Sequence, residues 1–73
     1  MNWEKYIEQN PEVMLGKPAF KGTRLTVEHV LRELSAGTSE AELLAGHPRL
    51  RPEHIRAAQG YAAAVLAAEE ILF

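Results

Sequence analysis

Apolar residues recur at two periods along this chain, and the switch between them divides it into elements. Over residues 27–36, Val27, Val30, Leu31 and Leu34 fall at i, i+3, i+4 and i+7. That is the stripe of an amphipathic helix, and Gly37 supplies the left-handed stop after it. Just before it, Leu25 and Val27 alternate with Arg24 and Thr26, the two-residue period of a short strand with one buried face. Ala19-Phe20 and Arg24-Leu25 flank Lys21-Gly22-Thr23, a glycine-containing connection that suits a hairpin. Pro18 assigns the first arm to an edge, and Thr26 is placed to cap the helix that follows.

The pattern then returns to helical spacing twice. Ser39 and Glu42 form an S-x-x-E capping box, Leu43-Leu44 carry a buried face, and Gly46-His47-Pro48 ends this short helix. Pro52 fits the first position of a long helix and Glu53 sits beside its positive end, with Ile55, Ala58, Ala62, Val65 and Leu66 as the main stripe. At the other end, Trp3, Tyr6 and Ile7 lie three and four apart, which predicts a short helix over residues 2–9, capped by Asn2 and broken by Asn10-Pro11. Residues 12–15 read as an extended apolar piece leading into Gly16. The expected fold is mainly α, a single domain over residues 1–73. It is a tri-helical helix-turn-helix-like bundle with a short N-terminal helix and a small β-hairpin or extended flap.

In that plan the long helix reads a nucleic-acid groove with its first turns, and those turns carry Arg49, Arg51, His54, Arg56 and Gln59. Guanidinium groups suit phosphate or guanine and Gln59 suits adenine. The flap adds Lys17, Lys21 and Arg24, three cations that suit phosphate or an acidic partner. The competing reading is local: Arg24 pairs with Glu28 or stacks on Trp3, and the lysines keep an edge strand soluble. A second face of the long helix is built from Ala57, Gly60, Ala64 and Ala67. Small side chains there admit either another helix of the chain or a second copy across a symmetric contact. Trp3 either covers the core or anchors an interface, and Ile71, Leu72 and Phe73 are expected to dock onto something.

Composition narrows the picture. Seventy-three residues without cysteine bury a limited core and gain nothing from disulfides, so association into a homodimer or larger assembly is expected. The 47% apolar share supports a folded globule. Ten acids against eight bases give a net charge of −2, which opposes indiscriminate coating of nucleic acid. No apolar run reaches membrane-spanning length and the first residues lack a signal peptide's apolar stretch, so a cytoplasmic protein is expected. No enzyme, metal or cofactor is expected. His29, His47 and His54 match no zinc spacing, Ser39 is committed to its cap, and Gly16 and Gly22 are not followed by the G-K-[ST] of a phosphate loop.

Several of these residues also form one extended pattern: Ile7, then G-K-P-x-x-x-G-T-R-L-x-V from Gly16 to Val27, Gly37 with Ser39 and Glu42, and P-x-L-x-x-E-x-I from Pro48 to Ile55. Over roughly residues 7–61 this resembles a widespread prokaryotic family long catalogued as a domain of unknown function. Its members are helix-turn-helix-like and include VapB-type antitoxins encoded beside PIN-like ribonuclease toxins. The resemblance implies the labile half of a type II toxin–antitoxin pair, binding a PIN-like toxin and its own operator DNA as a dimer. Its alternative is a protein-interaction or adaptor module with no DNA binding. Two departures stand out. Arg51 occupies a position where the family commonly has a threonine-like cap, and the chain stops at Phe73 where relatives often continue. Toxin binding would then use the folded body or the last turn of the long helix.

Overall fold

The computed structural model describes residues 1–69; the expected docking of Ile71, Leu72 and Phe73 lies outside them. The expectations for the three helices after residue 26 hold to within a residue or two. Helix α1 spans Val27–Ser35, and the Thr26 hydroxyl accepts the N–H of His29 at 3.1 Å. At its end Gly37 takes φ 99°, and the N–H groups of Gly37 and Thr38 donate to the carbonyls of Leu34 and Glu33 at 3.1 and 3.0 Å. That closure satisfies carbonyls the helix leaves open. Helix α2 spans Glu40–Gly46 behind the full capping box: Ser39 N–H donates to Glu42 Oε1 at 2.8 Å, and Glu42 N–H donates to Ser39 Oγ at 3.1 Å. Helix α3, Pro52–Ala68, opens on Pro52, whose missing N–H costs nothing in the first turn.

The N-terminal expectations fail. Residues 2–9 form no α-helix; a 3-10 turn at Trp3–Lys5 gives way to strand β1, Ile7–Glu8. Ile7 is β-branched and 5% exposed, and it is drawn into antiparallel pairing with strand β2, Ala19–Phe20, in the register Ile7↔Phe20 and Glu8↔Ala19. Residues 12–15 are not extended either. Met14, Leu15 and Gly16 take φ 49°, 58° and 82°, a left-handed turn held by Gly16 N–H to Val13 O at 3.0 Å and Lys17 N–H to Met14 O at 3.1 Å. Leu15 at its tip is 93% exposed.

Strand β2 sits at the centre of the ribbon rather than at its edge. On the side away from β1, Ala19 bridges Thr26, Phe20 N–H donates to Leu25 O at 3.0 Å, and Val27 N–H donates to Pro18 O at 2.9 Å. Pro18 is tolerated because this side uses its carbonyl, not the N–H it lacks. The turn between is closed by Thr23 N–H to Phe20 O at 3.0 Å, with Gly22 at φ 79°. The expected hairpin is thus present as a turn and one isolated bridge.

Nor is the ribbon a flap leaning on a helical core. Ala19 and Phe20 are fully buried, and Phe20 joins Val30, Leu43 and Ile55 as the large, fully buried side chains. Ile7, Val27, Leu50, Ala57 and Ala58 complete the cluster. Each large apolar side chain so enclosed contributes about 1.5–3 kcal/mol. Among the described residues no buried side-chain polar atom lacks a partner.

Candidate partner and nucleic-acid interface

The fold brings the cationic ribbon turn next to the basic segment that precedes α3. Arg49, in the loop between α2 and α3, donates through a guanidinium nitrogen to the Gly22 carbonyl at 2.8 Å, pinning that loop to the ribbon turn. Arg24 and Arg49 then line one hollow with Glu8 and Glu12, so acids share the surface the cations occupy.

Half of the expected DNA-contacting groups are engaged within the chain. Lys17 Nζ lies 3.4 Å from Glu28 Oε1, while Arg32 Nε donates to the other oxygen of Glu28 at 3.0 Å. Arg32 first and Lys17 second hold the Glu28 carboxyl below the usual carboxylate range. Arg56 pairs with Glu40 across the α2–α3 angle. Lys21, Arg24, Arg51 and Gln59 are exposed, and no ion pair engages them among the described residues. Neither local role expected of Arg24 is realised. Glu28 is taken by Lys17 and Arg32, and the Trp3 ring stands edge-on to Tyr61 at 4.9 Å.

His54 faces inward. Its ring makes edge contacts with Phe20 and Tyr6 at 5.3 and 5.6 Å, and its Nδ1 accepts the Arg51 N–H at 2.9 Å. Arg51 has no acceptor to give as a cap, so only this half of a capping box forms, with imidazole in the place of glutamate. His54 is thus engaged within the chain through its Nδ1 and ring face. Burial lowers its pKa, with Glu53 opposing and Arg51 assisting.

Only the first part of the small-residue face of α3 is covered by the chain itself, at Gly60 by the N-terminal turn. Ala57 is fully buried, and a β-carbon at Gly60 would meet Met1 Cγ at 3.4 Å and Trp3 Cδ1 at 3.7 Å. The N-terminal 3-10 turn lies across this face, leaving Ala67 exposed and Ala64 half-buried further along. Trp3 covers the body here.

Beyond that contact α3 outgrows the body. Its apolar stripe is not buried along its whole length: Val65 and Leu66 are 39% and 59% exposed. With Val27, Leu31, Tyr61 and Ala62 they line an open groove of about 510 Å³ between α1 and α3, edged by Glu28 and Arg32. Sequence reasoning misses this groove; a stripe that continues two turns past what a small core can cover is its signal. The other two imidazoles, His29 and His47, converge on one oxygen of Glu33 at 2.6 and 3.5 Å. Among the described residues no helix is long and apolar enough to cross a membrane.

Compared with known proteins, residues 7–62 match the sequence profile of a family described as "Protein of unknown function (DUF433)". No curated protein and no solved structure matches.

Proposed function

The chain belongs to the DUF433 family, and on that premise we propose that it is an antitoxin-like binding protein without catalysis of its own. Its protein partner is a PIN-like ribonuclease toxin, gripped at the groove between α1 and α3. The carrying observation is that groove: Leu31, Val65 and Leu66 present apolar surface that a chain of this size would cover if its own core could reach it. Glu28 and Arg32 at the rim supply charge of both signs around an apolar centre, the anatomy of a protein interface. The family that the G-K-P-x-x-x-G-T-R string resembles includes VapB-type antitoxins, and that membership supports the choice of partner class.

Operator binding belongs to the same reading. Helices α2 and α3, joined at Arg49–Arg51, are ordered as in a helix-turn-helix, and Lys21, Arg24, Arg51 and Gln59 are the side chains available to phosphate and base. A dimer would set two copies of α3 about 34 Å apart on DNA. The alternative, a partner-binding module that never touches DNA, is favoured by the cations already held by Glu28 and Glu40 and by the net charge of −2.

Co-expression with the product of the adjacent reading frame tests the proposal. Co-purification that is lost in Leu31→Glu and Leu66→Glu supports it; an intact complex in both variants, or no complex at all, sinks it. A gel shift on the chain's own promoter at low salt separates the two readings. A shift that Arg24→Ala and Arg51→Ala weaken supports operator binding, and no shift leaves the partner-binding module.

A further inference from the structure

We infer that His29, Glu33 and His47 form a binding site for a divalent late first-row transition metal, Zn²⁺ being the ion their chemistry suits best. His29 and Glu33 stand one turn apart on the same face of α1, and His47 reaches them from the loop that follows α2. Glu33 Oε2 lies 2.6 Å from His29 Nε2 and 3.5 Å from His47 Nε2, and all three donor atoms fall within 4.8 Å of one another. Ligands about 2.0–2.2 Å from a tetrahedral ion stand about 3.3–3.5 Å apart. One pair has that separation already. The His29–Glu33 pair, at 2.6 Å, would open by just under an ångström, and the two imidazole donors are no more than 4.8 Å apart.

The three backbones are fixed in a way ordinary surface residues are not. His29 N–H is held by the Thr26 hydroxyl at 3.1 Å. Glu33 O accepts the Thr38 N–H that closes α1 at 3.0 Å. His47 donates to Leu43 O at 3.0 Å and accepts from Leu50 N–H at 2.9 Å. Each ligand's backbone thus takes part in a hydrogen bond at the start or end of a helix, which fixes where its side chain leaves the main chain. In the metal-free state both imidazoles can share the Glu33 oxygen through their Nε2 hydrogens. An ion takes the place of those hydrogens, and the rings carry their protons on Nδ1. The side chains are 52%, 33% and 32% exposed for His29, Glu33 and His47, which leaves the fourth position to water. Two imidazoles and a single carboxylate select a borderline ion over Mg²⁺ or Ca²⁺, which require a cage of oxygens. A bound ion would clip α1 to the α2–α3 loop in a chain that has no cysteine to cross-link it.

Calorimetric titration of the tag-free full chain with ZnCl₂ at neutral pH tests the inference. The expected result is one ion per protomer, a raised melting temperature and no response to MgCl₂. His29→Gln and His47→Gln should each weaken Zn²⁺ by more than about 100-fold, the upper end of what losing even an outer-shell partner costs. Affinity unchanged in His47→Gln would overturn the site, leaving only a one-helix chelate. A measurement on the unaltered chain guards against variants that fail to fold. Zn²⁺ should move the ring nitrogen resonances of His29 and His47 and spare His54, and the reverse pattern refutes the assignment.

Discussion

The imidazole of His54 accepts the backbone N–H of Arg51 at 2.9 Å, doing at the start of α3 what the Glu42 carboxylate does at the start of α2. Only the unprotonated ring can accept. Burial holds the folded-state pKa below its ordinary value, so as pH falls the unfolded chain takes up the proton first. The contribution of His54 is therefore complete above about pH 6.5 and is lost as pH drops through the folded-state value. Urea midpoints at about pH 7.5 and about pH 5.5 should show the decline, and His54→Gln, which keeps an acceptor with no proton to gain, should flatten it. Equal slopes in the two proteins would refute the assignment.

Backbone conformation at Gly22, Leu15 and Gly60 gives a set of substitutions with opposite signs. Gly22 has φ 79° with nothing within 4 Å of the place a β-carbon would take, so Gly22→Ala costs about 1 kcal/mol through conformation alone. Leu15 holds φ 58° at 93% exposure, so Leu15→Gly removes a left-handed penalty of about 1 kcal/mol and should stabilise. Gly60→Ala should also stabilise, by up to about 1 kcal/mol, because the nearest atom at 3.4 Å is the flexible Met1 Cγ. Denaturant unfolding of the three variants checks all three signs.

Phe20 is fully enclosed although it lies on a two-residue strand. Phe20→Ala is expected to cost about 3–5 kcal/mol, most of the stability of a small domain. Its far-UV dichroism at room temperature should show lost helix, whereas Phe20→Leu should retain the fold. A folded Phe20→Ala protein would mean that the helices stand without the ribbon.

Trp3 is the single tryptophan, and its ring meets Tyr61 edge-on at 4.9 Å. Its fluorescence therefore reports whether the N-terminal turn lies on α3. Tyr61→Ala should shift the emission to the red while leaving helical dichroism in place. An unchanged spectrum would place Trp3 against some other surface.

The helices are legible because their signals are local. Thr26, Ser39 with Glu42, and Pro52 each act on residues within one turn of themselves, and each does so in the fold. Ile7 misleads because its decisive partner, Phe20, is thirteen positions away, and three-and-four spacing cannot reveal a strand pairing. Met14 and Leu15 carry no warning of their left-handed turn, which depends on the chain having to reverse before β2. At the candidate interface, the cations can be found by inspection but not the carboxylates that hold them: Glu28 is eleven residues from Lys17, and Glu40 sixteen from Arg56. The His29–Glu33 spacing is visible on one helix. His47 joins it only because α2 turns the chain back.

Thr26 bridges Ala19 in the ribbon while its hydroxyl caps α1. One residue therefore belongs to sheet and helix at once, and neither can loosen without the other. The turn at 21–24 cannot swing as an arm to embrace a partner: hinging at residues 25–27 would break the Phe20–Leu25 and Pro18–Val27 hydrogen bonds and the cap together. The amides of Phe20 and Val27 should accordingly exchange with solvent only when the whole domain opens. The ribbon is therefore a fixed part of the body, whereas the exposed Val65 and Leu66 stand outside that coupling.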